Sequence, residues 1–90
     1  MRYRVEVSNQ AQEQLSRFPR DVRERMKRAI DELAAKDDSQ WSNVKALQGT
    51  QWKGRFRKRV GGYRIIFRKL PEYGIAAISA VLIKSKDTYR

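Results

Sequence analysis

Histidine and cysteine are both missing from this chain of 90 residues. Without cysteine there is no disulfide and no thiolate metal site, which fits a reducing compartment and sets the expectation of a cytoplasmic protein. Without histidine the chain lacks the usual acid–base group near neutral pH and the commonest metal ligand, so neither a metal nor a cofactor is expected. No apolar run approaches the ~18 residues of a membrane span, and the N-terminus has no signal-peptide core, so no membrane role is expected. The most informative absence is local. Between residues 39 and 71 there is no Asp or Glu, while nine Lys and Arg fall there: Lys45, Lys53, Arg55, Arg57, Lys58, Arg59, Arg64, Arg68 and Lys69. The rest of the chain is near balance, with 12 basic and 10 acidic groups. A basic excess confined to one region is an electrostatic footprint for phosphates. A membrane-surface role would place it on an amphipathic helix, and here it lies on strand-like sequence.

That sequence is residues 52–69, W-K-G-R-F-R-K-R-V-G-G-Y-R-I-I-F-R-K. Two runs rich in aromatic and β-branched residues, 55–60 and 63–68, flank Gly61-Gly62, which suits a two-residue primed turn. This register pairs Val60 with Tyr63, Arg59 with Arg64, Phe56 with Phe67 and Arg55 with Arg68. Alternation puts Phe56, Val60, Tyr63, Ile65 and Phe67 on one face, with Lys58 out of place among them. The other face carries Arg55, Arg57, Arg59, Arg64 and Arg68 around Ile66. Like charges opposed across a ladder cost up to about 1 kcal/mol per pair, so such a face makes sense under a polyanion. The competing reading is a solvated face kept for solubility.

Along the chain, residues 3–7 alternate as a short strand. Ser8 or Asn9 then offers an N-cap, and Asn9-x-x-Gln12 resembles a capping box. Ala11, Leu15 and Phe18 form a helical stripe ended by Pro19. Val22, Met26, Ala29, Ile30, Leu33 and Ala34 give a second apolar face, and the charged face opposite reads as solvated surface. Asp37-Asp38-Ser39 closes this helix. Residues 40–51 read as a loop with an apolar patch of Trp41, Val44 and Leu47, and Trp41 and Trp52 are expected to cap the core. After a turn at residues 71–74, Ile75–Ile83 is uncharged and β-branched, a central strand buried on both faces. One domain spanning residues 1–90 is expected. Its class is α+β: two antiparallel helices on one face of a small, mainly antiparallel sheet in the order β-α-α-β-β-β, with the arginine face open.

The segments K-A-L-Q-G and W-K-G-R-F-R-K-R-V-G-G-Y-R-I-I-F resemble the signature of the RelE/ParE superfamily of toxins, and the N-terminal Y-x-V-x-x-S-x-x-A-x-x-x-L fits as well. The resemblance implies the same fold and one of two activities. RelE-type members cleave messenger RNA in the ribosomal A site through attack of the 2′-hydroxyl on the adjacent phosphate. ParE-type members poison DNA gyrase. A non-catalytic RNA- or ribosome-binding module of the same fold is a third reading. The family also implies a cognate antitoxin with an acidic, amphipathic segment, and operator DNA reached through the antitoxin complex. In RelE-type members basic hairpin residues, a further basic residue near the C-terminus and a terminal tyrosine carry the site. Arg57, Arg64 and Tyr89, transferred by motif, and Lys84 and Lys86, which lie close to the C-terminal basic position, are candidate catalytic residues. Lys53, Arg55, Lys58, Arg59 and Arg68 are candidate RNA-binding residues.

Two departures shape that transfer. RelE-type members have lysines where this chain has Arg55 and Arg57, and an arginine that stays protonated is no base. The C-terminal basic position falls on Ile83 in a gapless comparison, with Lys84 and Lys86 close by. The base is therefore sought among Lys53, Lys84 and Lys86, or in the ribosome.

Overall fold

The computed structural model describes residues 1–52 and 54–83. Its elements are β1 (Arg4–Val7), α1 (Asn9–Ser16), α2 (Arg20–Ala35), β2 (Val44–Ala46), β3 (Arg55–Val60), β4 (Tyr63–Leu70) and β5 (Ile75–Ile83). They form the expected α+β architecture, two helices on one face of a mainly antiparallel sheet. One strand more than expected is present. Val44–Ala46, inside the segment read as a loop, pairs antiparallel with β3, and the five strands run in the order β1-β5-β4-β3-β2. Among the described residues no helix is long and apolar enough to cross a membrane.

The uncharged strand β5 is an inner strand but not the central one, which is β4. It is not buried on both faces as expected: Ala76, Ile78 and Val81 are buried, and the rest of the strand is part-exposed or, at Ile83, exposed, because the helices cover one side of the sheet. It pairs antiparallel with β4 and parallel with β1. Where β1 stops, side chains take over its ladder: Val81 N–H donates to Gln14 Oε1 at 2.7 Å and the Ser8 hydroxyl to the Ser79 carbonyl at 3.2 Å. Ser8 also caps α1 by accepting the Ala11 N–H at 3.1 Å, which decides between the two candidate caps. Pro19 occupies the cap position of α2, and Asp21 supplies negative charge to that helix's first turn, where the dipole favours it.

The core lies between the helices and the inner sheet face. Ala11, Met26, Leu33, Ile65 and Phe67 are fully buried, with Val22, Ile78 and Val81 close behind. At roughly 25 cal/mol per Å² of apolar surface, such burial is what holds the helices to the sheet. Trp41 caps this core as expected, its ring 5.5 Å from Tyr3 and 5.7 Å from Phe67. Tyr63 packs on Phe18 at 5.1 Å. Ala34, expected on the buried stripe, is exposed.

Two lysines from the acid-free stretch point inward. Lys58 is 2% exposed, donates to the Ser42 carbonyl at 2.8 Å and pairs with Glu32 at 3.2 Å. Lys69 lies over the rings of Phe56, Trp41 and Tyr3 at 5.0–5.8 Å and pairs with Asp38 at 3.0 Å. Acids from the helical half of the chain thus reach across to neutralise both. Glu32, read from sequence as solvated surface, is one of the two.

Candidate nucleic-acid interface

The outer face of the β3–β4 hairpin gathers the arginines in the expected register. Arg59 stands opposite Arg64, Arg55 opposite Arg68, and Arg57 opposite Ile66. The turn between the strands places only Gly61 at positive φ, +58°. That is the demand of a type II′ turn, whose first central residue favours glycine. The row through Arg57 continues to Lys45 on β2, and the row through Arg59 to Asn43, whose carbonyl accepts the Arg59 N–H at 3.0 Å. Asn43, Val44, Lys45, Arg57 and Arg59 line a cleft of about 390 Å³.

The face is not open throughout, as the sequence suggested. It is exposed at Arg59 and Arg68, half-buried at Arg55 and Arg57, and closed over Arg64 and Ile66, which are 4% and 2% exposed. A register shift in the β4–β5 ladder lies between Ile66 and Phe67, and the Ser79 hydroxyl donates to the Ile66 carbonyl there. The irregularity therefore sits beside the buried centre of the face, where bulges re-aim side chains.

Electrostatics separates the two sides of the hairpin. On the inner side, burial pushes the Glu32 carboxyl up, but hydrogen bonds from Ser42 and Lys58 outweigh it and hold the group below its ordinary value. Asp38 is likewise held low, first by Lys69 and then by the N-terminal ammonium. On the outer side, no carboxylate pairs with Arg55, Arg59, Arg64 or Arg68 among the described residues. The acid on that face, Glu6 of β1, is paired with Arg4 at 3.3 Å. Most telling is Arg64, whose Nε and Nη1 are buried with no hydrogen-bond partner. Arginine offers donors in a planar fork and accepts nothing, so the face supplies positive charge and N–H groups rather than a base. Among the described residues no cluster of three His, Cys, Asp or Glu could hold a metal ion.

Of the candidate residues, the fold brings together Arg55, Arg57, Arg59, Arg64 and Arg68. Lys58 is a correction. It faces the helices, buried and bonded to Glu32 and Ser42, and has no place in an RNA contact. Lys53, Lys84, Lys86 and Tyr89 lie outside the described residues. Sequence reasoning missed Lys45 and Asn43, because their place on the face depends on the unexpected strand β2. The signal available was the position of Lys45 within the acid-free stretch.

Residues 5–88 match the model of the family described as ParE toxin of type II toxin–antitoxin system, parDE. No curated protein matches the sequence. Among solved structures, a chain of the archaeal RelE–RelB complex from Pyrococcus horikoshii superimposes with a TM-score of 0.76 at 24% identity, over 96% of this chain and 99% of that one. A chain of the RelBE2 toxin–antitoxin complex from Mycobacterium tuberculosis gives 0.67 at 27% identity, over 93% and 100%. The isolated Escherichia coli RelE toxin gives 0.69 at 16% identity, over 94% and 89%.

Proposed function

Because the chain belongs to the ParE toxin family of type II toxin–antitoxin systems, within the RelE/ParE superfamily, we propose that it is a toxin acting on ribosome-bound messenger RNA. The observation that carries this reading is Arg64. A guanidinium with two of its nitrogens buried and unpartnered is costly to keep, and a phosphate is the ligand whose oxygens match its donor fork. Arg57, Arg59 and Lys45 surround the same part of the sheet, so a strand of RNA laid there would meet cations on both sides of one phosphate.

In this reading the 2′-hydroxyl attacks the adjacent phosphorus, the bond to the 5′-oxygen breaks, and a 2′,3′-cyclic phosphate and a 5′-hydroxyl result. Arg57 and Arg64 stabilise the charge that develops on the non-bridging oxygens. Arg55, Arg59 and Arg68 hold neighbouring phosphates. The proton of the 2′-hydroxyl goes to Lys84 or Lys86, the departing 5′-oxygen takes a proton from solvent water, and Tyr89 orients the nucleotide by stacking. A lysine in that role needs neighbouring cations to lower its pKa. The toxin is held by a cognate antitoxin through an acidic, amphipathic segment, a partnership supported by the complexes of RelE with RelB.

Primer extension on a messenger RNA, with and without programmed ribosomes, tests the reading: cuts should appear only with ribosomes present. The family match favours a second reading, inhibition of DNA gyrase. Loss of gyrase supercoiling at toxin concentrations that leave messenger RNA intact would select it. In single-turnover cleavage, Lys84→Met or Lys86→Met should lose at least ~10-fold, and Tyr89→Phe less, because its ring is kept. Parental rates in all three variants would remove the tail from the chemistry.

A further inference from the structure

Beyond the arginine face, a second groove of about 360 Å³ lies between α2 and the tip of the hairpin. Arg25 and Arg28, three positions apart and so on one side of α2, line it together with Arg59, Asn43 and Gly61. Arg25 reaches over the turn: a Cβ placed on Gly61 would meet its Nη2 at 2.1 Å. All three arginines are exposed, and none has an acidic partner among the described residues. The acid in the groove, Glu32, is already engaged by Lys58 and Ser42. Arg59 and Asn43 line both this groove and the cleft on the arginine face, so the two are continuous round the corner of the sheet where β2 begins.

We propose that this groove is a second phosphate-binding site, which receives an RNA strand as it leaves the arginine face and bends round the sheet onto α2. The proposal rests on the reading of that face as a nucleic-acid surface. An acidic amphipathic peptide would need apolar surface to cover. Among the described residues the large exposed hydrophobic ones are Met1, Tyr73 and Ile83, and none of them lines the groove. A sugar–phosphate backbone needs only spaced cations, and three unpaired guanidiniums provide them.

The test is binding, free of cleavage and of ribosomes. Non-cleavable 2′-O-methyl oligoribonucleotides of about four and about twelve nucleotides, within the ~4–16 that small single-strand-binding folds cover, are titrated by fluorescence anisotropy at several salt concentrations. Arg28→Gln and the double variant Arg25→Gln/Arg28→Gln should weaken the longer oligomer several-fold and lower its salt slope by about 0.7 per arginine. The shorter oligomer, held on the arginine face, should bind both variants as it binds the parent. Unchanged affinity for the longer oligomer would overturn the groove and leave the face standing. Failure of both oligomers to bind the parent protein would overturn the face and the groove together. A loss confined to a polyglutamate peptide, with RNA binding intact, would assign the groove to an acidic protein partner instead.

Discussion

Arg64 carries its charge at a position 4% exposed, with two of its three nitrogens unpartnered. Stability and activity should therefore move in opposite directions when it is replaced. Arg64→Met removes an unpaired buried cation, and a gain of about 1 kcal/mol, or ~4–8 °C in Tm for a domain of this size, is expected. The same variant should lose ~10²–10³ in cleavage rate, as should Arg57→Ala. A fall in Tm for Arg64→Met would mean that the side chain is a packing element. The inner pair, Lys58 and Glu32, behaves differently. Glu32→Ala leaves the buried Lys58 ammonium with only the Ser42 carbonyl and should cost ~3–5 kcal/mol. Lys58→Met leaves a partly exposed Glu32 still bonded by Ser42 and should cost less. The pH dependence follows from the carboxyl held low in the folded state. The unfolded chain binds the proton first as pH falls, so the stabilisation is complete above the ordinary value near 4.5 and drains below it. Acid titration of unfolding should show a shallower fall for Glu32→Gln than for the parent.

At the level of elements, the hairpin was legible because its alternation is strict and its turn residues are diagnostic. Each cross-strand pair inferred from Gly61-Gly62 is present. That Ile75–Ile83 is an inner strand was legible from its nine uncharged residues, but its burial on both faces was not borne out, because β5 lies next to the edge strand β1 and the helices cover one side. What the sequence concealed has physical causes. β2 is three residues long and mostly exposed, too short to show a period. The inward lysines looked like part of the phosphate footprint, because their acids come from α2 and the following turn, distant in sequence. The closed centre of the arginine face depends on packing that alternation cannot reveal. The turn offers a direct test. Gly61→Ala must hold an L-residue at φ +58° and displace Arg25, so a loss of about 1–2 kcal/mol is expected. Gly62→Ala, with nothing within 4 Å and no positive φ, should cost less in the same denaturant titration.

Across the whole molecule, a net charge of +11 is divided by the sheet into an inner side where acids answer the lysines and an outer side where, among the described residues, Arg55, Arg59, Arg64 and Arg68 have no carboxylate partner. Association with an acidic partner should be steered by that outer field, with a rate that falls as salt shortens its reach from ~10 Å at 0.1 M. Stopped-flow association across a salt series checks this, and a flat rate would count against it. The parallel seam between β1 and β5 bears on the order of events during synthesis. It joins Arg4 to Ile75, so this side of the sheet cannot close before Ile75–Ile83 has been made. A nascent chain halted before Ile75 emerges has helices and a hairpin but no strand to seat between them, and should be cut freely by protease. Competence arrives in one step once Ile75–Ile83 has been made, which gives a partner already made nearby the first opportunity to bind.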